Sequence, residues 1–168
     1  NHRIALYVNT GLAIDADLSL SIGAEGVGLY RTEIPFMVRD SFPVEDEQRL
    51  IYRQLLQAFN PRPVIMRTLD IGGDKTLSYF PIKEENPFLG WRGIRITLDH
   101  PELFLMQIRA MLRASSGLNN LWIMLPMISG VNEVDEAMTL IKQAYEEVQE
   151  EEKKIAWPLI GVMIEIPS

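Results

Sequence analysis

Cysteine is missing from all 168 residues, so the chain holds neither a disulfide framework nor a thiol catalyst. Basic residues are outnumbered, 16 Lys and Arg against 23 Asp and Glu. The resulting net charge of −7 argues against a general nucleic-acid binder, which needs a basic footprint. No apolar run approaches the roughly 20 residues of a membrane span. Histidine occurs only as His2 and His100. His2 lies at the start, and His100, before Pro101, fits a helix start better than a catalytic role. The first residues carry no initiator Met and no signal-peptide pattern. Both ends read as cut from a longer, cytoplasmic protein. Internal repeats and low-complexity linkers are absent as well, and 47% hydrophobic with 23% charged residues is an ordinary globular balance. The length suffices for one core, so residues 1–168 are read as a single domain.

The pattern alternates apolar runs with helical periodicity. Residues 4–8 form a first candidate strand, and Asn9, Thr10 and Gly11 turn the chain. A modest helix is expected over 15–22, then a second strand over 27–30 closed by Arg31. Pro43 followed by Glu45, Asp46 and Glu47 makes a good helix start, since proline suits the first turn and acids suit the positive end of the helix dipole. That helix runs to about Asn60, and residues 63–69 make the third strand. Pro101 opens a helix with Phe104, Ile108, Met111 and Leu112 on one face, and the fourth strand spans 121–125. In that strand Trp122 and Met124 are expected in core or helix-facing packing. Ser129 or Gly130 caps the strongest helix, where Val134, Ala137, Met138, Ile141, Tyr145 and Val148 recur at helical spacing. Its tail, 146–154, is charged and expected to be solvated. Residues 159–164 are the fifth strand. Nearly continuous apolar strands alternating with helices mean an α/β fold with a buried parallel sheet. The pattern fits either a doubly wound open sheet or part of a (β/α)8 barrel, which when whole needs about 250 residues.

Residues 72–99 are too long for a simple connection. They contain β-type runs at 77–80 and 93–96, split by Pro81 and Pro87, and read as a small β-rich insertion after strand 3. Around them lies RTLDIGGDK (67–75), with a tight turn expected at Gly72-Gly73, then Asp74 and Lys75, and ENPFLGWRGIR (85–95). Arg67, Arg92 and Arg95 thus sit near glycine-rich turns. The planar guanidinium fork suits phosphate and carboxylate, so the stretch reads as a local anion site in an acidic protein. Three strands end on a charge: Arg31, Arg67 and Glu165. A charge at such depth is costly unless paired or used. Arg31 has a structural alternative in pairing with Glu33 or another rim acid, Arg67 in pairing with Asp70 or Asp74, Arg92 in stacking on Trp91 or another aromatic, and Glu165, a candidate metal ligand, in a rim salt bridge to an arginine.

Four blocks in order, GAEGVGLYRTE (23–33), RTLDIGGDK, ENPFLGWRGIR and GVMIEIPS (161–168), resemble the phosphoenolpyruvate-binding barrel of Enzyme I of the bacterial phosphotransferase system. EIPFM (33–37) and GIRITLDHPELFLMQIRAML (93–112) are most similar to the nitrogen-related type. The resemblance implies strands one to five of a (β/α)8 TIM barrel. It implies phosphoenolpyruvate gripped by Arg31, Arg67 and Arg92, with Glu165 as a Mg²⁺ ligand. It also implies phosphoryl transfer to a histidine on a separate N-terminal domain, a histidine phosphocarrier protein as partner, and a homodimer. The second metal carboxylate, a neighbouring asparagine, a further arginine and a cysteine acid of the family lie beyond strand five. No catalytic residue is therefore expected within this chain, which is expected to be inactive alone. Pyruvate phosphate dikinase and phosphoenolpyruvate synthase use similar barrels, and a non-catalytic dimerisation or regulatory module is the reading from a different class.

Overall fold

The computed structural model describes residues 3–12, 16–72, 77–80 and 92–167. Five strands form one parallel sheet in the order β1-β2-β3-β4-β5: β1 Val8–Thr10, β2 Val27–Arg31, β3 Val64–Arg67, β4 Leu121–Leu125 and β5 Leu159–Val162. Six helices accompany them among the described residues: α1 Ala16–Ser21, α2 Glu33–Met37, α3 Glu45–Phe59, α4 Ile94–Asp99, α5 Pro101–Ala114 and α6 Val131–Glu151. Strand order follows chain order without a reversal. A doubly wound sheet needs a reversal where its helices change face. Here α1 packs on α3, α3 on α5 and α5 on α6, one continuous row.

The row covers one face of the sheet. Val27, Tyr30, Val64, Met66, Leu121, Ile123 and Leu125 join Leu55, Phe59, Phe104, Ile108, Met111, Ala137, Ile141 and Val148 in the main core. Helix ends match most of their sequence cues, though Pro43, expected in the first turn of α3, instead precedes its N-cap residue Val44. Glu47 turns back to accept from the Val44 N–H at 3.2 Å, Pro101 occupies the first turn of α5, and Glu133 accepts from Ser129 N–H at 2.6 Å. The α6 tail is not simply solvated, because Arg109 bridges Glu45 and Glu147 and Arg113 bridges Glu45 and Glu151, lacing α5 to α3 and α6. Among the described residues no helix covers the opposite sheet face. Ile65, Trp122, Met124, Leu159 and Gly161 line a groove of ≈ 360 Å³ there. Trp122 and Met124 therefore point away from the helices, correcting the helix-facing alternative, because strand alternation gives the helix side to Leu121, Ile123 and Leu125.

Three further expectations change. The first strand begins at Val8, not residue 4, because parallel pairing starts at Val8 opposite Val27; Asn9 and Thr10 belong to the strand. Residues 94–99 form a helix, so the β-rich insertion is wrong for its described last part. Between 77 and 80 only an isolated Leu77–Phe80 bridge is present. Gly73, Asp74, Lys75, Pro81 and the ENPFLGW segment, like His2, lie outside the described residues. α2 was not expected. Its Pro35 falls in the first turn, where a missing N–H costs nothing, and Phe36 anchors a second apolar cluster with Leu69, Ile71, Leu77 and Ile96. That cluster seats α2 and α4 over the C-terminal ends of the strands. Among the described residues no helix is long and apolar enough to cross a membrane.

Candidate functional site

Arg31 and Arg67 close adjacent parallel strands and are register partners. Both therefore leave the sheet at its C-terminal end. Next to them, Thr32 donates its hydroxyl to the Arg67 carbonyl at 2.7 Å and accepts from Gln107 Nε2 at 3.2 Å. Gln107 comes from α5 and accepts the Leu69 N–H at 2.8 Å. Its amide also reaches Tyr52 Oη on α3 at 3.1 Å. This buried polar knot fixes the strand ends to each other and to the helix layer.

Arg67 is 5% exposed and doubly paired, with Nη2 2.6 Å from Glu33 Oε1 and Nη1 3.2 Å from Asp70 Oδ2. Asp70 also meets Arg92, whose Nε and Nη2 each stand 3.3 Å from one of its oxygens. The Asp70 alternative for Arg67 is thus realised, whereas Glu33 pairs with Arg67 rather than Arg31. Arg31 makes no ion pair with any described residue, and its Nε is buried without a hydrogen-bond partner. Arg92 pairs with an acid; its expected stacking partner Trp91 is outside the described residues. Arg95 turns away toward Glu133 at the start of α6, 3.7 Å distant.

β5 stops at Val162, short of the expected 159–164, so Glu165 does not close the strand but stands three residues past it at the same end. Met163 N–H bonds to Leu125 O, and the Met163 sulfur lies 3.8 Å from Arg67 Nη1. Two residues on, Glu165 Oε1 accepts the N–H of Met127 at 2.8 Å. Met127 holds a left-handed backbone, φ 57°, uncommon for a side chain of its size. Gly93 fills the space between: a Cβ there would lie 3.0 Å from Met127 Cγ and 3.1 Å from Asp70 Oδ1, and its φ is +56°. Arg31, Arg67, Arg92 and Glu165 are thus gathered at one end of the sheet. Among the described residues no group of three or more His, Cys, Asp or Glu could hold a metal ion.

The sequence reading did not assign Thr32, Gln107 or Met127 to this site. Gln107 carried a signal, a polar residue on the buried face of a helix; Thr32 and Met127 carried none.

All 168 residues match the family described as PEP-utilising enzyme, PEP-binding domain. The chain belongs to this family. As a PEP-binding domain it is also similar to whole curated proteins. It is 54% identical over 167 residues to the Escherichia coli protein named phosphoenolpyruvate-dependent phosphotransferase system, covering 99% of this chain and 22% of that one. Against the phosphoenolpyruvate-protein phosphotransferases of Haemophilus influenzae and Bacillus subtilis the identities are 46% and 45%, each over 169 residues and 99% of this chain. The domain spans 29% and 30% of those two proteins, so it is less than a third of the length of these relatives.

Proposed function

We propose that this PEP-binding domain grips phosphoenolpyruvate at the C-terminal ends of β2 and β3 and serves its phosphoryl transfer to a protein histidine. The observation that carries the reading is the side-by-side exit of Arg31 and Arg67, with Arg92 joined to them through Asp70. The transferring phosphoryl group spreads charge over its equatorial oxygens, and preset cationic N–H donors stabilise that charge without reorganising. Arg31, which has no acid partner among the described residues, supplies charge to the anion. Arg67 and Arg92 supply aimed donors. Several arginines suit a substrate with both phosphate and carboxylate, since each fork can take two oxygens.

Mg²⁺ is part of this reading. It takes one or two protein carboxylates and completes its shell with water and substrate oxygens. Glu165 fits as a single such donor: it is exposed at the same sheet end, with Oε1 oriented by the Met127 N–H. When bound, the ion would neutralise phosphate and carboxylate charge. The strand order without reversal and the uncovered apolar face support strands one to five of a (β/α)8 barrel, whose active sites lie at the strand C-termini. The acceptor histidine, on an N-terminal domain, the histidine phosphocarrier protein to which the group passes, a homodimer and a cytoplasmic setting complete the proposal. They draw on the kinship with phosphoenolpyruvate-protein phosphotransferases.

One observation favours a structural reading. Arg67 and Arg92 already have buried acid partners, as arginines do in a module that binds nothing. Radiolabelled phosphoenolpyruvate separates the two, applied to the natural protein that carries this chain. Arg67→Ala is expected to lower self-phosphorylation about 100-fold, some 3 kcal/mol of lost charge stabilisation. Labelling within a few-fold of wild type would leave the arginines a structural role only.

A further inference from the structure

Arg67 is held from two sides. Glu33, in the first turn of α2, is fully buried and lies 2.6 Å from Nη2. Asp70, also fully buried, lies 3.2 Å from Nη1 and spans to Arg92. Acceptors on both terminal nitrogens leave a planar guanidinium a single orientation, where an unpaired arginine would sample many rotamers. Burying two acids carries a desolvation cost that apolar packing of the same volume would avoid. The arrangement is also asymmetric. Arg31 stands in register with Arg67 on the neighbouring strand, yet neither acid is paired with it. Gly93 adds a second constraint, because its missing Cβ lets the backbone beside Arg92 close on Asp70.

We propose that Glu33 and Asp70 are positioning residues. Glu33 sets the direction of the Arg67 fork, and Asp70 couples that fork to Arg92, so that both arginines meet an incoming anion already aimed. The proposal rests on reading this cluster as the phosphoenolpyruvate site. It assigns the two acids no contact with substrate.

The test is a double-mutant cycle in the natural protein that carries this chain, read by calorimetric titration of phosphoenolpyruvate with Mg²⁺. Glu33→Asp keeps the charge but withdraws the acceptor by one methylene. It is expected to weaken binding on the order of 10- to 100-fold, as a misplaced donor does. In an Arg67→Gln background the same change is expected to have no further effect, because its action passes through Arg67. Asp70→Asn against the double change Arg67→Gln/Arg92→Gln forms a second cycle with the same expectation, because Asp70 meets both arginines, and it decides the matter if Glu33→Asp does not fold. Wild-type affinity in Glu33→Asp and Asp70→Asn, or effects that simply add to those of the arginine variants, would overturn positioning while leaving the site standing. Wild-type affinity in both Arg67→Gln and Arg92→Gln would overturn the site itself. A melting temperature that falls without any change in affinity would mark the acids as structural only.

Discussion

Thr32, the residue after β2, donates to the backbone carbonyl of Arg67 at 2.7 Å, and this bond ties the end of β2 to the end of β3. Its hydroxyl also takes the amide of Gln107. Thr32→Val would leave that buried amide and the carbonyl short of a partner. A loss of about 1–3 kcal/mol is expected in denaturant unfolding. The neighbouring Tyr30→Phe is the contrast. Tyr30 Oη is buried with no hydrogen-bond partner, and burial, with Glu33 nearby, pushes its pKa well up. Removing that hydroxyl is expected to be neutral or mildly stabilising. A Tyr30→Phe loss as large as that of Thr32→Val would contradict the hydrogen-bond accounting.

Gly93→Ala should be damaging for two separable reasons. Its φ of +56° is strained for an L side chain, and the new Cβ would press on Met127 and Asp70. A stability loss of about 1–3 kcal/mol is expected from the backbone alone. Because Arg92 precedes Gly93 and Asp70 is the group pushed, phosphoenolpyruvate affinity should fall as well. Unchanged affinity in a folded Gly93→Ala protein would detach Arg92 from the site.

The ion pairs lacing α5 to α6 set an acid-side sensitivity. The Gln143 amide, together with Arg109, holds the Glu147 carboxyl below its ordinary 4.5. Arg113 lowers Glu151 in the same way. A folded pKa below the unfolded one gives stability that is present above about 4.5 and lost as pH falls through the lower folded value. Both acids are well exposed, so the effect is small and screened by salt. Thermal melts from pH 7 to pH 3 should show a steeper acid-side loss in wild type than in Arg109→Gln/Arg113→Gln, with the difference shrinking at high salt. Parallel curves would mean that these pairs contribute nothing.

Among the described residues β1 and β5 each have one sheet neighbour, and the face lined by Ile65, Trp122 and Met124 is open. Leu159, which lines that face, is 60% exposed. Open edges and apolar faces invite pairing. The 168-residue chain produced alone is expected to self-associate, read by light scattering after size exclusion. A clean monomer at tens of micromolar would contradict this.

Much of the fold was legible because buried parallel strands and amphipathic helices carry their period in the chain. β4 and the buried face of α5 came out as expected. Residues 4–7 were misread because an apolar run becomes a strand only where a ladder forms; Leu6 O takes the Glu25 N–H, but register pairing starts only at Val8 opposite Val27. Residues 94–96 looked like β because of Ile94 and Ile96, yet Gly93 redirects the backbone, Thr97 bonds back to Gly93 O and Ile94 O, and packing overrides propensity. Arg31 and Arg67 stood out because each ended an apolar run, and Arg92 because it followed a glycine-rich turn. The exchange of Glu33 from Arg31 to Arg67 was hidden, because it depends on α2 and the register of β2 on β3, and neither is a local property of the sequence.

The register pair Arg31 and Arg67 is the proposed anion site. Its most direct measurement is the equilibrium affinity of the natural protein carrying this chain for phosphoenolpyruvate, with Mg²⁺ present, in wild type and Arg31→Ala. Arg31 has no acid partner among the described residues, so its removal costs the fold little and the ligand much. Binding weaker by about tenfold or more, with an unchanged melting temperature, is the predicted result. Equal affinity in the two proteins would contradict the account.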